Sequence, residues 1–335
     1  MISAGTFSVV AVIMAILCYF LRIYFPYPPP TVIGIDLGTT FSSLAIFNNG
    51  FGNVSIITDE KNKTLIPSIV TFYQNGSIAV GKRANLSEHQ QHETFYDSKR
   101  FIGRNDLNQH KIPPYPFPFE IHNGTLFYLL PKNFTNKKFK SNLIEPFQLS
   151  FLIIEHIKAI FKNKFGYNPS KAVIGVPVEF DQKQRNATLE AAKMAGIEVL
   201  RLVNEPTAAS VAADVHNRQD VENVAVLDLG GGTFDVAILS SIERTLNTLS
   251  IAGNDRLGGR DFTNQFSNCI NRKTDNNTDF FNSEYQEFLD IVETAKIQLS
   301  TETSVRVLFK KNGKLWDFTM TLAEFEECNS EVFLL

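Results

Sequence analysis

Apolar and polar residues alternate along this chain with two different periods, and the switches between them mark out its elements. Residues 31–36 and 41–47 read as β-branched and aromatic strands around a Gly/Thr turn, and 54–58 and 68–72 continue the same antiparallel pattern. From 146 to 165 the period lengthens, with Phe147, Phe151, Ile154, Ile157 and Phe161 recurring at helical spacing. The apolar run that follows at 171–177 predicts a buried strand ended by Pro177. Asp181, with Gln184 three residues on, is a capping-box start and Gly196 a helix stop, so a helix is predicted over about 182–195. Residues 197–203 return to strand character, and Asn204 caps a further helix with Pro206 in its first turn. Strand, helix, strand, helix predicts an α/β architecture. By contrast, 105–140 is polar and rich in Pro and Asn. It is expected to form loops and short strands outside the core, within an inserted subdomain at about 70–145.

The first hairpin has a near-copy. Val32-Ile-Gly-Ile-Asp-Leu-Gly-Thr-Thr40 and Val224-Ala-Val-Leu-Asp-Leu-Gly-Gly-Gly-Thr233 share an apolar strand, Asp-Leu-Gly and a Gly/Thr turn, each followed by a second apolar strand. A polar break at 214–222 precedes the second copy, so two similar lobes are expected, 31–218 and 219–335, with a cleft between them. The turns explain why such a hairpin would be needed twice. Gly38 and Gly230–Gly232 let the backbone approach closely, Thr39, Thr40 and Thr233 supply hydroxyls, and Asp36, Asp228 and Asp235 supply carboxylates. Two such turns face to face would grip a polyphosphate, with an Asp at each strand end holding a hydrated divalent cation. Neither turn is a P-loop or a dinucleotide fingerprint, because strand leads to strand and no Gly-Lys-Ser/Thr follows.

Composition adds a few exclusions. Lys+Arg 32 against Asp+Glu 35 gives a formal charge of -3, which points away from nucleic acid as a partner. The three cysteines, Cys18, Cys269 and Cys328, are too few and scattered for a disulfide framework or a zinc cluster, so folding is expected to rest on packing. Residues 2–21 carry no charge, and 1–25 is expected to be a signal peptide or a membrane anchor, followed by a Pro-rich spacer at 26–30. Eight Asn-x-Ser/Thr sequons (Asn53, Asn62, Asn75, Asn85, Asn123, Asn133, Asn186, Asn276) permit glycosylation in a secretory lumen.

Four blocks of this sequence resemble the heat-shock-70 chaperones, within the actin-like and sugar-kinase-like ATPase superfamily. They are Gly34-Ile-Asp-Leu-Gly-Thr-Thr40, Tyr96-Asp-Ser-Lys-Arg-Phe-Ile-Gly103, the 176–185 block leading to Val203-Asn-Glu-Pro-Thr-Ala-Ala209, and Asp228-Leu-Gly-Gly-Gly-Thr-Phe-Asp235 leading to Leu257-Gly-Gly-Arg-Asp-Phe262. With its apolar leader and spacer, the chain is most similar to the short microsomal stress-70 type, an ATPase core on a secretory-pathway leader. The resemblance implies a duplicated actin-like fold, with ATP or ADP and Mg2+ in the cleft. Thr39, Thr40 and Gly38 would contact phosphates, Thr233 and Gly230, Gly231 and Gly232 would cradle the second phosphate side, and Asp36 and Asp228 would hold magnesium through water. Lys99 would sit beside the γ-phosphate and orient the attacking water, with Glu205 and Asp235 completing the acidic set. Glu293, Lys296 and Ser300 match the adenosine-contacting helix, whereas Ile297 stands where the family commonly carries an arginine packed on the base. Pro177 and Arg185 match positions that relay nucleotide state.

The family continues beyond the point matched by residue 335, through a later adenosine segment and closing helices, so an incomplete second lobe is expected. The function implied is an ATP-hydrolysing chaperone core in the endoplasmic reticulum lumen or microsomes. Its partners would be nucleotide, unfolded proteins or co-chaperones, and its N-terminal segment would associate with the membrane. The alternative is a non-catalytic interaction protein that keeps the first lobe. A small-molecule kinase on the same fold is disfavoured by Lys99 and the 204–209 block.

Overall fold

The computed structural model describes residues 12–17, 32–48, 52–81, 92–108, 112, 115–218, 220–254, 257–274 and 282–334. The spacer at 26–30 and most of the apolar segment at 2–21 lie outside these residues; 12–17 is helical and exposed. Among the described residues no helix is long and apolar enough to cross a membrane.

The first half is built on a mixed sheet. Glu198–Asn204, Lys171–Val176 and Val32–Leu37 run parallel, and Val32–Leu37 then pairs antiparallel with Phe41–Asn48, which pairs with Asn53–Ile56 on one side and Ile66–Pro67 near its start. Strand periodicity decides which side chains enter the core. Ile33 and Ile35 oppose Ile46 and Leu44 on one neighbour and Ala172 and Ile174 on the other, and all six are at most 7% exposed. They share a core cluster with Ile153, Ile154, Ile157 and Phe161 of the helix Pro146–Phe165. Fully burying each such aliphatic side chain stabilises by about 1.5–3 kcal/mol, so this sheet-on-helix layer is the main support of the first hairpin. The helix Gln182–Met194 starts as the sequence predicts, Asp181 accepting from the Gln184 amide at 2.9 Å and Gln184 closing the box onto Asp181 N at 3.1 Å.

One expectation needs correction here, and another holds only in part. The 105–140 stretch is not outside the core: Phe117, Leu126, Tyr128, Leu130, Phe134 and Phe139 are at most 6% exposed and belong to the same cluster as the central sheet. Phe134 and Phe139 meet Phe72 edge-on at 5.4 and 5.8 Å between ring centres, and Tyr128 lies 5.0 Å from Phe95. Its prolines and asparagines mark turns, including the Asn123-Gly124 turn, with both residues at positive φ, that joins Phe119–His122 to Thr125–Leu129. The residues between those turns are large and apolar, and their burial outweighs the polar average. Asn204 is the N-cap of the helix Glu205–Ala212 as expected, with proline in the first turn, but its side chain makes no capping bond; its Oδ1 instead accepts from Arg185 at 3.0 Å.

The second hairpin repeats the first in outline. Asn223–Leu229 pairs antiparallel with Phe234–Ile242, which pairs with Thr245–Asn254. A second core follows, where Phe266 and Ile270 of the helix Gly259–Lys273 pack with Phe288 and Val292 of Asn282–Gln298 and with Val305, Val307 and Phe309 of the ribbon Ser304–Lys311 and Lys314–Thr321. The expectation that packing alone holds the chain is also overturned: Cys269 and Cys328 form a disulfide across 59 residues, tying Gly259–Lys273 to the helix Leu322–Cys328. Three cysteines give no spacing signal for a pair, because the partners meet only once the two helices have packed.

Candidate functional site

The two glycine turns meet each other. Gly38 is tight because a Cβ there would lie 2.1 Å from the Phe41 carbonyl, and Ser68 braces this turn by donating to Gly38 O at 2.7 Å. In the second hairpin Gly230 N donates to Thr233 O at 2.9 Å, closing a turn at 230–233. A Cβ on Gly231 would fall 1.9 Å from Thr40 Oγ1, and one on Gly232 would fall 2.7 Å from Thr39 Cγ2. Only glycine permits this approach, which places Thr39 and Thr40 against the backbone of the opposite turn.

Lys99 and the carboxylates converge beneath these turns. Lys99 lies on the short helix Ser98–Phe101, and its Nζ donates to Glu205 Oε1 at 2.7 Å, with both side chains largely buried. Burial works against the Lys99 charge, but Glu205, Asp36 and Asp235 outweigh it and hold the amine above its ordinary value. Burial pushes the Glu205 carboxyl up despite Lys99, and Asp36 and Asp228 add to that. Asp36 is also raised, first by burial and then by Asp228, with Lys99 opposing. Asp235 is raised by burial, although Thr233 donates to its Oδ2 at 3.0 Å. One ammonium therefore faces three carboxylates, Glu205, Asp36 and Asp235, with Asp228 acting on all three, an excess of acidic groups that a divalent cation would offset. Among the described residues no group of three or more His, Cys, Asp or Glu is arranged to ligate a metal directly. Carboxylates in excess of the one ammonium are the chemistry a hydrated divalent cation would require, and Asp36 and Asp228, at the two strand ends, are the candidates to hold it through its waters.

Glu293 and Lys296 pair beside Gly259, and Ser300 lines the same cavity as Lys296. Lys296 Nζ donates to Gly259 O at 2.8 Å and Thr263 Oγ1 at 3.0 Å and pairs with Glu293 at 2.8 Å; Thr263 also bonds Glu293. Gly259 N in turn donates to Gly230 O at 3.0 Å, which joins this cluster to the second turn. Lys296 and Ser300 line a cavity of about 320 Å³ with Phe262, Leu322, Phe325 and Phe333, while Ile297 points outward, 60% exposed. Arg185 donates to the carbonyls of Phe180 at 3.0 Å and Pro177 at 3.5 Å. Sequence reasoning missed Ser68, Thr263, Arg100 and Arg260. The last two are in the blocks quoted above, but pairs 161 or more positions apart leave no spacing signal.

Comparison with known proteins agrees in extent with this geometry. A profile described as Hsp70 protein matches residues 32–334. The chain is 36% identical over 295 residues to heat shock 70 kDa protein 13 of Homo sapiens, which covers 86% of this chain and 61% of that protein. It is 36% identical over 296 residues to the Rattus norvegicus protein of that name and 35% identical over 305 residues to that of Mus musculus. The chain thus spans about six tenths of the length of the curated relatives it matches, 61% for the human protein.

Proposed function

Since the chain belongs to the Hsp70 family and has its actin-like ATPase fold, we propose that it binds magnesium-ATP between the two glycine turns and hydrolyses it, as the nucleotide-driven core of a chaperone. One observation carries this reading above the rest: a buried lysine held on Glu205 at 2.7 Å, within electrostatic reach of Asp36 and Asp235 on the two hairpins whose glycine turns touch.

Phosphoryl transfer needs positioning and charge more than covalent chemistry. The backbone amides of the two turns and the hydroxyls of Thr39, Thr40 and Thr233 would fix the phosphate oxygens. Lys99, kept protonated by its carboxylates, would face the terminal phosphate and hold the attacking water in line, and Glu205 would hold Lys99. Magnesium bound through water at Asp36 and Asp228 would neutralise phosphate charge. Glu293, Lys296 and Ser300 would contact the nucleoside beside the aromatic cavity.

The proposed setting is the secretory lumen, reached through the apolar leader, with unfolded proteins or co-chaperones as partners. The Cys269–Cys328 bond supports an oxidising compartment. Every sequon asparagine among the described residues (Asn53, Asn62, Asn75, Asn123, Asn133 and Asn186) is exposed, as a lumenal acceptor would have to be. Calorimetric titration of the purified chain with magnesium-ATP, followed by phosphate release under single turnover, tests the core claim. Binding and release are expected. Binding without release would favour the non-catalytic alternative, and no binding would remove the proposal.

A further inference from the structure

Directly before Lys99 the chain makes a contact that the proposed chemistry does not use. Asp97 is fully buried in a left-handed conformation, φ 59°, at the start of the helix Ser98–Phe101. Its carboxylate has two cations beside it: Arg260 Nε at 3.0 Å from Oδ1 and Arg100 Nε at 3.9 Å from Oδ2. Tyr115 donates to Oδ2 at 3.1 Å, and the Arg260 guanidinium stacks 4.6 Å from the centre of the Tyr96 ring. Arg100 reaches the other way, Nη2 donating to Asp261 Oδ2 at 2.8 Å and Nη1 to Oδ1 at 3.4 Å. The pairs cross. Asp97 and Arg100 flank Lys99 on the first-hairpin side, whereas Arg260 and Asp261 begin the helix Gly259–Lys273, where Arg260 N donates to Gly231 O at 2.9 Å.

We propose that Arg260 and Arg100, with Asp97 and Asp261, form a charged clasp that fixes the Lys99 helix against the second glycine turn, so that Arg260 is a positioning residue whose release opens the nucleotide cleft. This rests on the nucleotide reading above. Two features suit a clasp that opens over a permanent strut. Asp97 Oδ1 and the Nε atoms of Arg100 and Arg260 are buried without an aligned hydrogen bond, so Coulomb attraction, less directional than a bond, holds the Arg260–Asp97 contact. A buried ion pair also adds little net stability when intact, yet removing one partner is costly because it leaves an uncompensated charge. The contact therefore specifies geometry more than it stabilises the chain, and it lies between the residues whose separation the proposed chemistry depends on.

Arg260→Ala, Arg260→Lys and Asp261→Asn in the full chain test this. Without nucleotide, Arg260→Ala is expected to speed amide exchange at both 96–102 and 229–234 on the order of tenfold. Arg260→Lys, which keeps the charge but loses the planar stack on Tyr96, should recover part of that protection. With nucleotide, release of a fluorescent ADP analogue should quicken by a comparable factor in Arg260→Ala. If Arg260→Ala does not fold, Asp261→Asn, which breaks the more exposed Arg100 pair, should change exchange and release in the same direction. Faster exchange confined to 259–273, with 96–102 unchanged, overturns the clasp. A wild-type chain that binds no nucleotide removes the functional reading, and the exchange data still decide the clasp.

Discussion

Lys99 keeps its charge in a buried site because Glu205, Asp36 and Asp235 together outweigh its desolvation. Lys99→Ala should therefore lower single-turnover phosphate release by about 10²-fold while nucleotide binding is largely kept, since one preorganised cation is lost and the phosphate turns are not. Equal turnover in the variant would sink the assignment. Asp36 is the converse case. Its carboxyl is raised by burial and by Asp228, so the folded state holds a proton that the unfolded chain releases at lower pH, and stability falls as pH rises through the raised range. Asp36→Asn is expected to raise the unfolding midpoint at neutral pH by roughly 2 °C, to lose that advantage below the ordinary carboxylate range, and to abolish the magnesium dependence of nucleotide binding. A lower midpoint at neutral pH would contradict it. Asp36 stands out in the sequence through its strand-and-turn motif and Lys99 only through the family resemblance, and the structure brings the two within electrostatic reach of each other. Arg260 does not stand out, since its meaning depends on Asp97, which reaches it only after both lobes have folded.

At the scale of elements, local chemistry was read well wherever a few adjacent residues decide the outcome. The box of Asp181 and Gln184 starts its helix as predicted, and the duplicated Asp-Leu-Gly runs fold as two hairpins with Asp36 opposite Ser43 and Asp228 opposite Asp235. The misreadings share a cause. Phe117, Tyr128 and Phe134 were hidden by the polar residues around them, and Cys269 and Cys328 by the 59 positions between them, because each is placed by long-range packing. The disulfide has a measurable consequence. Closing a loop of that length removes about 4 kcal/mol of unfolded-state entropy in the chain-entropy model. Cys328→Ser should destabilise the second core by about 2–4 kcal/mol, and reduction of the wild type should reproduce the loss while leaving the variant unaffected. The same helix Leu322–Cys328 supplies Leu322 and Phe325 to the cavity beside Lys296 and Ser300, so nucleoside affinity should weaken with it. Identical unfolding midpoints in oxidised and reduced wild type would show that the bond is not a staple.

The whole molecule combines two apolar cores, a site between them and a surface whose chemistry bears on where the chain works. Among the described residues one core centres on Pro146–Phe165 and the first sheet, the other on the two later helices and the ribbon, and the second carries the cross-link. A disulfide persists where thiols are kept oxidised, and sequons matter only where glycans are attached; the two observations are independent, and both suit a secretory lumen. The folded surface also ranks the acceptors. Asn62, Asn123 and Asn133 stand in turns at positive φ, and Asn75 precedes Gly76 in another, with the Ser77 hydroxyl donating to its side chain at 2.7 Å. Asn186 instead lies within the helix Gln182–Met194, its Oδ1 accepting from Gln182 at 2.8 Å. Chain expressed in cells should therefore lose apparent mass on endoglycosidase treatment. Site mapping should find modification at the turn asparagines ahead of Asn186, and trapping of free thiols should leave Cys269 and Cys328 unlabelled. A chain recovered with the cytosol, without a mobility shift and with both cysteines labelled, would end the compartment assignment while leaving the nucleotide site to be judged on its own.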